Sequence, residues 1–217
     1  MNNHGRIGGH ITRYDQDQCA TAQAFVWDSR DGLKTLEAPN VVDSRGFDIN
    51  DDGQVLGLCT TSANRKDVFI WEQDGSLHLL NLPGASGVGR PYINNNGLVA
   101  TSYRTTGTAY RLATWQKDRG WKHHDGFGPT VYIQAVINDT GHILLWDNSP
   151  GIRVANRHFF ESHESWLFTT EGKRTRLTNM LPVGKGKFFA TDLNNHGWIL
   201  GGTVKEPHDY YILIPIK

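Results

Sequence analysis

Two aspartates, Asp48 and Asp192, stand at the same place in two copies of a repeated turn, one residue before the hydrophobe that opens it. Carboxylates presented from equivalent positions could act as general acid and base on a glycosidic bond, if their separation suited that chemistry. Tyr92 and Val136 hold the same place in two other copies, and no Glu accompanies the aspartates on an inner strand. An Asp beside an Asn turn also commonly accepts from local backbone N–H groups. Glycoside hydrolysis is therefore carried as an alternative, behind a non-enzymatic reading with no catalytic residues.

The segment 148–164 holds a second concentration of reactive side chains: Arg153, Arg157, His158, Phe159, Phe160, Glu161, His163 and Glu164. Its His and Glu spacing matches no zinc signature such as H-E-x-x-H, so no metal is expected there. The Phe pair among mixed charges fits an aromatic anchor for a protein partner, and these eight residues form the expected partner-binding set. A third cluster is Trp121-Lys122-His123-His124-Asp125. Neighbouring residues on a strand face opposite ways, so the two His cannot share a site, and both read as surface residues of an outer strand. No G-x-S-x-G, P-loop or G-x-G-x-x-G before a helix is present, and no cofactor is expected. The Gly-rich run 84–89 reads as a crossing between sheets, with Ser86 no nucleophile.

What would position these residues is a repeat. Five turns recur: Met1-Asn2-Asn3-His4-Gly5, Ile49-Asn50-Asp51-Asp52-Gly53, Ile93-Asn94-Asn95-Asn96-Gly97, Ile137-Asn138-Asp139-Thr140-Gly141 and Leu193-Asn194-Asn195-His196-Gly197. Each leads through a loop to a short apolar strand, and Trp27, Trp71 and Trp115 follow one another at 44 residues. The step from Trp115 to Phe168 is 53, and the excess lies in 148–164. A period in this range indicates stacked supersecondary units. Within a unit, turn signals separate four short strands, as in Arg45–Ile49, 54–59, 68–72 and 77–82. A four-stranded sheet that is apolar on both faces needs neighbours on both sides. The expected fold is all-β: one domain over 1–217, a β-propeller of five repeats with four antiparallel strands each. The repeat boundaries fall near 1–44, 45–88, 89–130, 131–187 and 188–217. The ends do not match neatly. Either one blade is short at both edges or residues before Met1 are missing, and the edge 210–216 would offer a pairing or dimer seam.

The turn asparagines have a structural purpose of their own, folding a side-chain oxygen back onto backbone N–H, while the closing Gly supplies positive φ. This turn, with Ala24-Phe25-Val26-Trp27 and Ile49-Asn50-x-x-Gly53-x-Val55-x-Gly57, resembles the HAF repeat, a bacterial repeat named for a His-Ala-Phe strand start. The stretch 207–215 resembles the last strand usual in such proteins. The resemblance covers essentially the whole chain and implies a propeller-like fold without a chemistry. Its members are often extracellular.

Lys and Arg number 22, as do Asp and Glu, so no long-range field draws the chain to nucleic acid or an anionic membrane. Neither partner is expected. No apolar run approaches a membrane span, and the first residues lack the features of a signal peptide. The expected location is cytoplasmic as the sequence stands, and extracellular if a leader was removed. Cys19 and Cys59 read as two free thiols. The leading expectation is a binding scaffold for a protein partner, such as an inhibitor or immunity protein masking a toxin. A lectin-like carbohydrate-binding propeller is the alternative; five-bladed lectins use equivalent pockets in each blade, whereas the loops here differ and Trp121, Trp146 and Trp198 occur in single units, so at most one or two sugar platforms are expected.

Overall fold

The computed structural model describes residues 1–17, 20–106, 110–124, 133–147, 152–154, 157–159, 165–169, 171–203 and 209–215. The five Asn turns share one geometry. In each, the Gly N–H donates to the Asn carbonyl at 3.0–3.2 Å, and the Asn N–H donates to the carbonyl after the Gly. The turn glycines have φ between +71° and +80°, a region where a Cβ is unfavourable. Each turn therefore reverses the chain tightly and sets the register of the strand pair around it.

The strands form five antiparallel sheets in chain order. The first contains Ile7–Tyr14 (β1), Ala20–Asp28 (β2) and Gly32–Thr35 (β3), and the second Val41–Ile49 (β4), Val55–Thr61 (β5), Lys66–Trp71 (β6) and Leu77–Leu79 (β7). The third is built from Gly87–Val88 (β8), Tyr92–Ile93 (β9), Val99–Arg104 (β10), Tyr110–Gln116 (β11) and Gly120–His124 (β12). In the fourth, Ile133–Ile137 (β13) and Ile143–Asp147 (β14) join Ser165–Phe168 (β17) and Arg174–Arg176 (β18). Between β14 and β17 a separate hairpin pairs Ile152–Val154 (β15) with Arg157–Phe159 (β16). The fifth sheet has Phe188–Leu193 (β19), Ile199–Thr203 (β20) and Tyr210–Leu213 (β21).

Strand alternation gives the inner strands of the second, third and fourth sheets two buried faces. On β5, Val55 and Cys59 pack back against Ala24 and Val26 of the first sheet. Leu56, one residue on, packs forward with Ile93 and Val99 of the third. Ala100 continues the stack against Ile143, and Leu144 against Phe188 and Ile199. Apolar cores thus sit between sheets, where a propeller-like stack places them. Close approach has a local requirement: a Cβ on Gly57 would overlap the Arg45 carbonyl and the Phe69 ring. The Trp series follows its surroundings. Trp71 is buried in the first seam, whereas its counterpart Trp27 is exposed, because among the described residues no sheet covers that face of the first.

Two local readings need correction. The Gly-rich run is not merely a crossing, since Gly87–Val88 pairs with β10 and the Gly89 N–H donates to the Ser102 carbonyl at 2.7 Å. Pro91, which has no N–H, separates this piece from β9 and leaves the sheet's first strand broken. The second sheet's first strand begins at Val41, not Arg45, and tolerates that length through bulges between Val41 and Asp43 and between Gly46 and Asp48.

Candidate functional site

The hairpin connecting second and third strands of a sheet lies at the opposite end from the Asn turn, so the stack has a turn end and a loop end. The insertion lies at the loop end of the fourth sheet. Arg153, Arg157, His158 and Phe159 fall on its hairpin, with Arg153 opposite His158 and Val154 opposite Arg157. Phe160, Glu161, His163 and Glu164 lie outside the described residues. Among the described residues the hairpin pairs with no strand of the sheet stack. It is therefore an addition to the repeat, carried by the β14–β17 connection.

Asp48 and Asp192 turn out to act on backbone. Asp48 Oδ1 accepts from the Ile49 N–H at 2.9 Å, and Oδ2 accepts from the Ile93 N–H of the next sheet at 3.0 Å. Burial pushes the Asp48 carboxyl above its usual range, against the lowering effect of those two N–H groups and of Arg90. Asp192 Oδ1 accepts from the Leu193 N–H at 2.8 Å in the same way. The two aspartates sit in the second and fifth sheets, and no hydrogen bond joins them.

The His pair divides as strand alternation requires, but not as two surface residues. His124 is buried, 2.9 Å from Thr114 Oγ1 and edge-on to Phe168 across the seam with the fourth sheet. His123 is exposed, with Nδ1 2.6 Å from the Tyr103 hydroxyl. The correction arises because β12 is covered on one face by β17, which the sequence pattern of an outer strand does not reveal.

The turn asparagines do more than close their own turns. Asn2 Nδ2 donates to the Asn50 carbonyl at 3.0 Å, Asn50 to Asn94 at 3.2 Å, Asn94 to Asn138 at 2.9 Å and Asn138 to Asn194 at 3.0 Å. A parallel row runs through the next residue, which alternates Asn3, Asp51, Asn95, Asp139, Asn195. In it the Asn3 N–H donates to Asp51, Asp51 to Asn95, Asn95 to Asp139 and Asp139 to Asn195, all at 2.8–2.9 Å. The Asn3, Asn95 and Asn195 side-chain amides also donate to the Asp51 and Asp139 carboxylates beside them at 2.6–3.0 Å, and the Asn3 contacts hold the Asp51 carboxyl below its usual range. The signal was present in the sequence as the Asn/Asp alternation at one turn position.

Sequence reasoning missed the two clefts at the turn end. The first, about 490 Å³, lies between the first and second sheets, with Arg6, Asp28, Lys34, Trp71 and Glu72 in its walls. The second, about 470 Å³, lies between the second and third and is lined by Gln54, Glu72, His78, Asn95, Trp115 and Lys117. They are equivalent by repeat position. Arg6 follows one turn Gly and Gln54 follows the next, while Asp28 and Glu72 each follow the strand Trp. The corresponding pairs interact: Arg6 Nε is 3.4 Å from Asp28 Oδ2, and Gln54 Nε2 donates to both Glu72 oxygens at 3.0–3.1 Å. Glu72 borders both clefts. In the first, Arg6 Nη1 is buried without a hydrogen-bond acceptor, and a Cβ on Gly53 would overlap it. The N–H of Asp31, followed by that of Arg30 and the charges of Arg6 and Lys34, holds the Asp28 carboxyl below its ordinary range despite some desolvation. Such clefts can hold a small polar molecule between an amide or guanidinium and a carboxylate. The signal that could have located them is the covariation of the two positions from unit to unit.

Cys59 is buried in the first seam, and burial pushes its thiol up to about 11. Cys19 lies outside the described residues. Among the described residues no three His, Cys, Asp or Glu side chains converge as a metal set. No described helix is long and apolar enough to cross a membrane.

No known family description matches the sequence, and no curated protein matches it. Solved structures do. TolB from Acinetobacter baumannii superposes with a TM-score of 0.61 at 14% identity, over 96% of this chain and 49% of its own. The acylaminoacyl peptidase of Pyrococcus horikoshii gives 0.61 at 13% identity, over 98% of this chain and 37% of its own. The chain thus spans about half the length of the first and less of the second. At these identities the likeness shows a shared propeller-like all-β fold and nothing about activity.

Proposed function

We propose that the chain is a non-catalytic binding scaffold of five propeller blades that recognises a protein partner through the loop end of its fourth sheet. The observation that carries this is the β15–β16 hairpin, an element added to the repeat and paired with none of its sheets. Loops grafted on a rigid repeat are where such folds acquire their specificity. The contact set is Arg153, Arg157, His158, Phe159, Phe160, Glu161, His163 and Glu164, with the Phe pair as anchor. Masking a toxin is the kind of task it suits, and the HAF repeat is the family whose pattern it follows. Asp48 supports the non-enzymatic side of the reading, because both its oxygens accept from backbone N–H groups.

The test captures partners on the immobilised protein from extracts of its source, with and without EDTA and excess free sugar. A single protein retained under both conditions and lost from Phe159→Ala/Phe160→Ala supports the proposal. Unchanged capture by that variant removes the hairpin as the interface.

A second reading has its own observation: two clefts of similar volume at equivalent repeat positions, each with a Trp and the shared Glu72. Repeated pockets of this kind suit a carbohydrate, whose hydroxyls pair with carboxylates and whose apolar face stacks on aromatic rings. Elution of captured glycoprotein by free sugar, abolished in Glu72→Ala, would favour it over the protein-partner reading.

A further inference from the structure

Among the described residues the first and fifth sheets each lack a neighbour on one face, and repeat equivalence shows what those faces should touch. On the fifth sheet Leu200, Tyr210 and Ile212 occupy the places that Leu56, Val68 and Ile70 hold in the second, as the strand registers show. Leu56, Val68 and Ile70 are 0–3% exposed against the third sheet, whereas Leu200, Tyr210 and Ile212 are 46%, 78% and 58% exposed. On the first sheet Ile7 and Trp27 take the places of Val55 and Trp71, with 37% exposure each against 1% and 8%. Leu33, on the same face through its pairing with Trp27, is 52% exposed. Isolated exposed hydrophobes mean little, but two contiguous apolar sheet faces mark interaction surfaces.

The hydrogen-bond rows identify the occupant. The Asn side-chain amides of the first row and the backbone N–H groups of the second all donate forward to the next sheet, while the second row's Asn95 and Asn195 amides also donate back, to Asp51 and Asp139. At the fifth sheet the Asn194 amide and the Asn195 N–H have no turn to donate to among the described residues. At the first, the Asn3 Oδ1 acceptor and the second lone pair of the Asn2 carbonyl have no turn behind them. Asp192 Oδ2 likewise lacks the forward N–H that Asp48 Oδ2 receives from Ile93. One end is a donor end, the other an acceptor end, and they match as consecutive sheets do. Within one chain the two faces are exposed together, and among the described residues the rows do not join.

We infer that the fifth sheet of one copy stacks on the first sheet of a second copy, extending the same packing and the same Asn rows across the junction. The contact is head-to-tail, so it either closes between copies or propagates. In the seams Leu56 meets Val99 and Leu144 meets Ile199, so the equivalent junction pair is Leu200 with Ile7 of the second copy. This inference is independent of the partner proposed for the hairpin.

The test uses the full chain in a Cys19→Ser background, with Ile7→Cys and Leu200→Cys made singly and together. Mixing the two single variants under mild oxidation should give a disulfide-linked pair, while each alone gives none. Sedimentation of the unmodified chain should show species above 24.3 kDa, and Leu200→Asp/Ile212→Asp should return a single-chain mass. Cross-linking within one chain of the double variant would show the ring closing on itself and overturn the inference. A monomeric mass across a dilution series, or linkage of a single variant to itself, would overturn it as well.

Discussion

Removing the Asn94 side chain tests the rows most directly. Asn94 is 4% exposed and makes three side-chain bonds: Nδ2 donates to the Asn138 carbonyl at 2.9 Å, and Oδ1 accepts from the Asn96 and Leu98 N–H groups at 3.0 and 2.9 Å. Replacement by Ala leaves two backbone donors in a half-buried turn without their acceptor and removes one buried bond between sheets. At roughly 1 kcal/mol per net bond, plus part of the desolvation cost of the orphaned donors, Asn94→Ala should lose about 3–4 kcal/mol. Asn194 supplies the control. Its Oδ1 accepts the same two turn bonds, from His196 and Trp198, but among the described residues its amide reaches no further turn, and the residue is exposed. Water can replace what Asn194→Ala removes, and the loss should be about 1 kcal/mol. Urea unfolding followed by tryptophan fluorescence, at a concentration where the chain is single, measures both with m-values compared. Equal losses for the two variants, or an Asn94→Ala loss below about 0.5 kcal/mol, would refute the claim that bonds between sheets stabilise the stack.

Three further outcomes are expected. Gly57→Ala places a Cβ against the Arg45 carbonyl and Phe69 ring, so it should destabilise by about 2 kcal/mol or more in the same assay; Gly75→Ala, with open space but positive φ, should cost about 1 kcal/mol. The Cys59 thiol, buried and raised to about 11, should react with a thiol reagent at neutral pH only in urea. Burial raises the Asp67 carboxyl, countered by the Asn81 and Val68 N–H groups and Arg65. A raised folded value means the native state binds the proton more readily than the unfolded one. Asp67 therefore adds stability as pH falls from neutral through its raised value toward the ordinary carboxylate range. Relative to Asp67→Asn, the wild type should gain in that window, as read from unfolding midpoints; a relative loss would contradict the sign.

Much of the architecture was legible in the chain itself because its causes are local. Asn and Gly at fixed offsets demand one turn geometry, alternating apolar residues demand sheets covered on both faces, and a 44-residue step demands that neighbouring units be alike. What was not legible depends on which unit lies alongside. His124 reads as an outer-strand residue and is buried because Phe168 of β17 packs on it, while Trp27 reads like Trp71 and is exposed because no sheet among the described residues lies over it. Asp48 has the residue type of a catalytic acid, yet only the stack brings the Ile93 N–H to its second oxygen. The clefts bordered by Glu72 arise where two turns and two strand ends meet, so no single stretch of sequence contains them. Turn chemistry acts over four or five residues and is written in order along the chain. Burial, the hydrogen bonds between turns and pocket shape act between residues about one repeat apart, and the packing of one sheet against the next decides them.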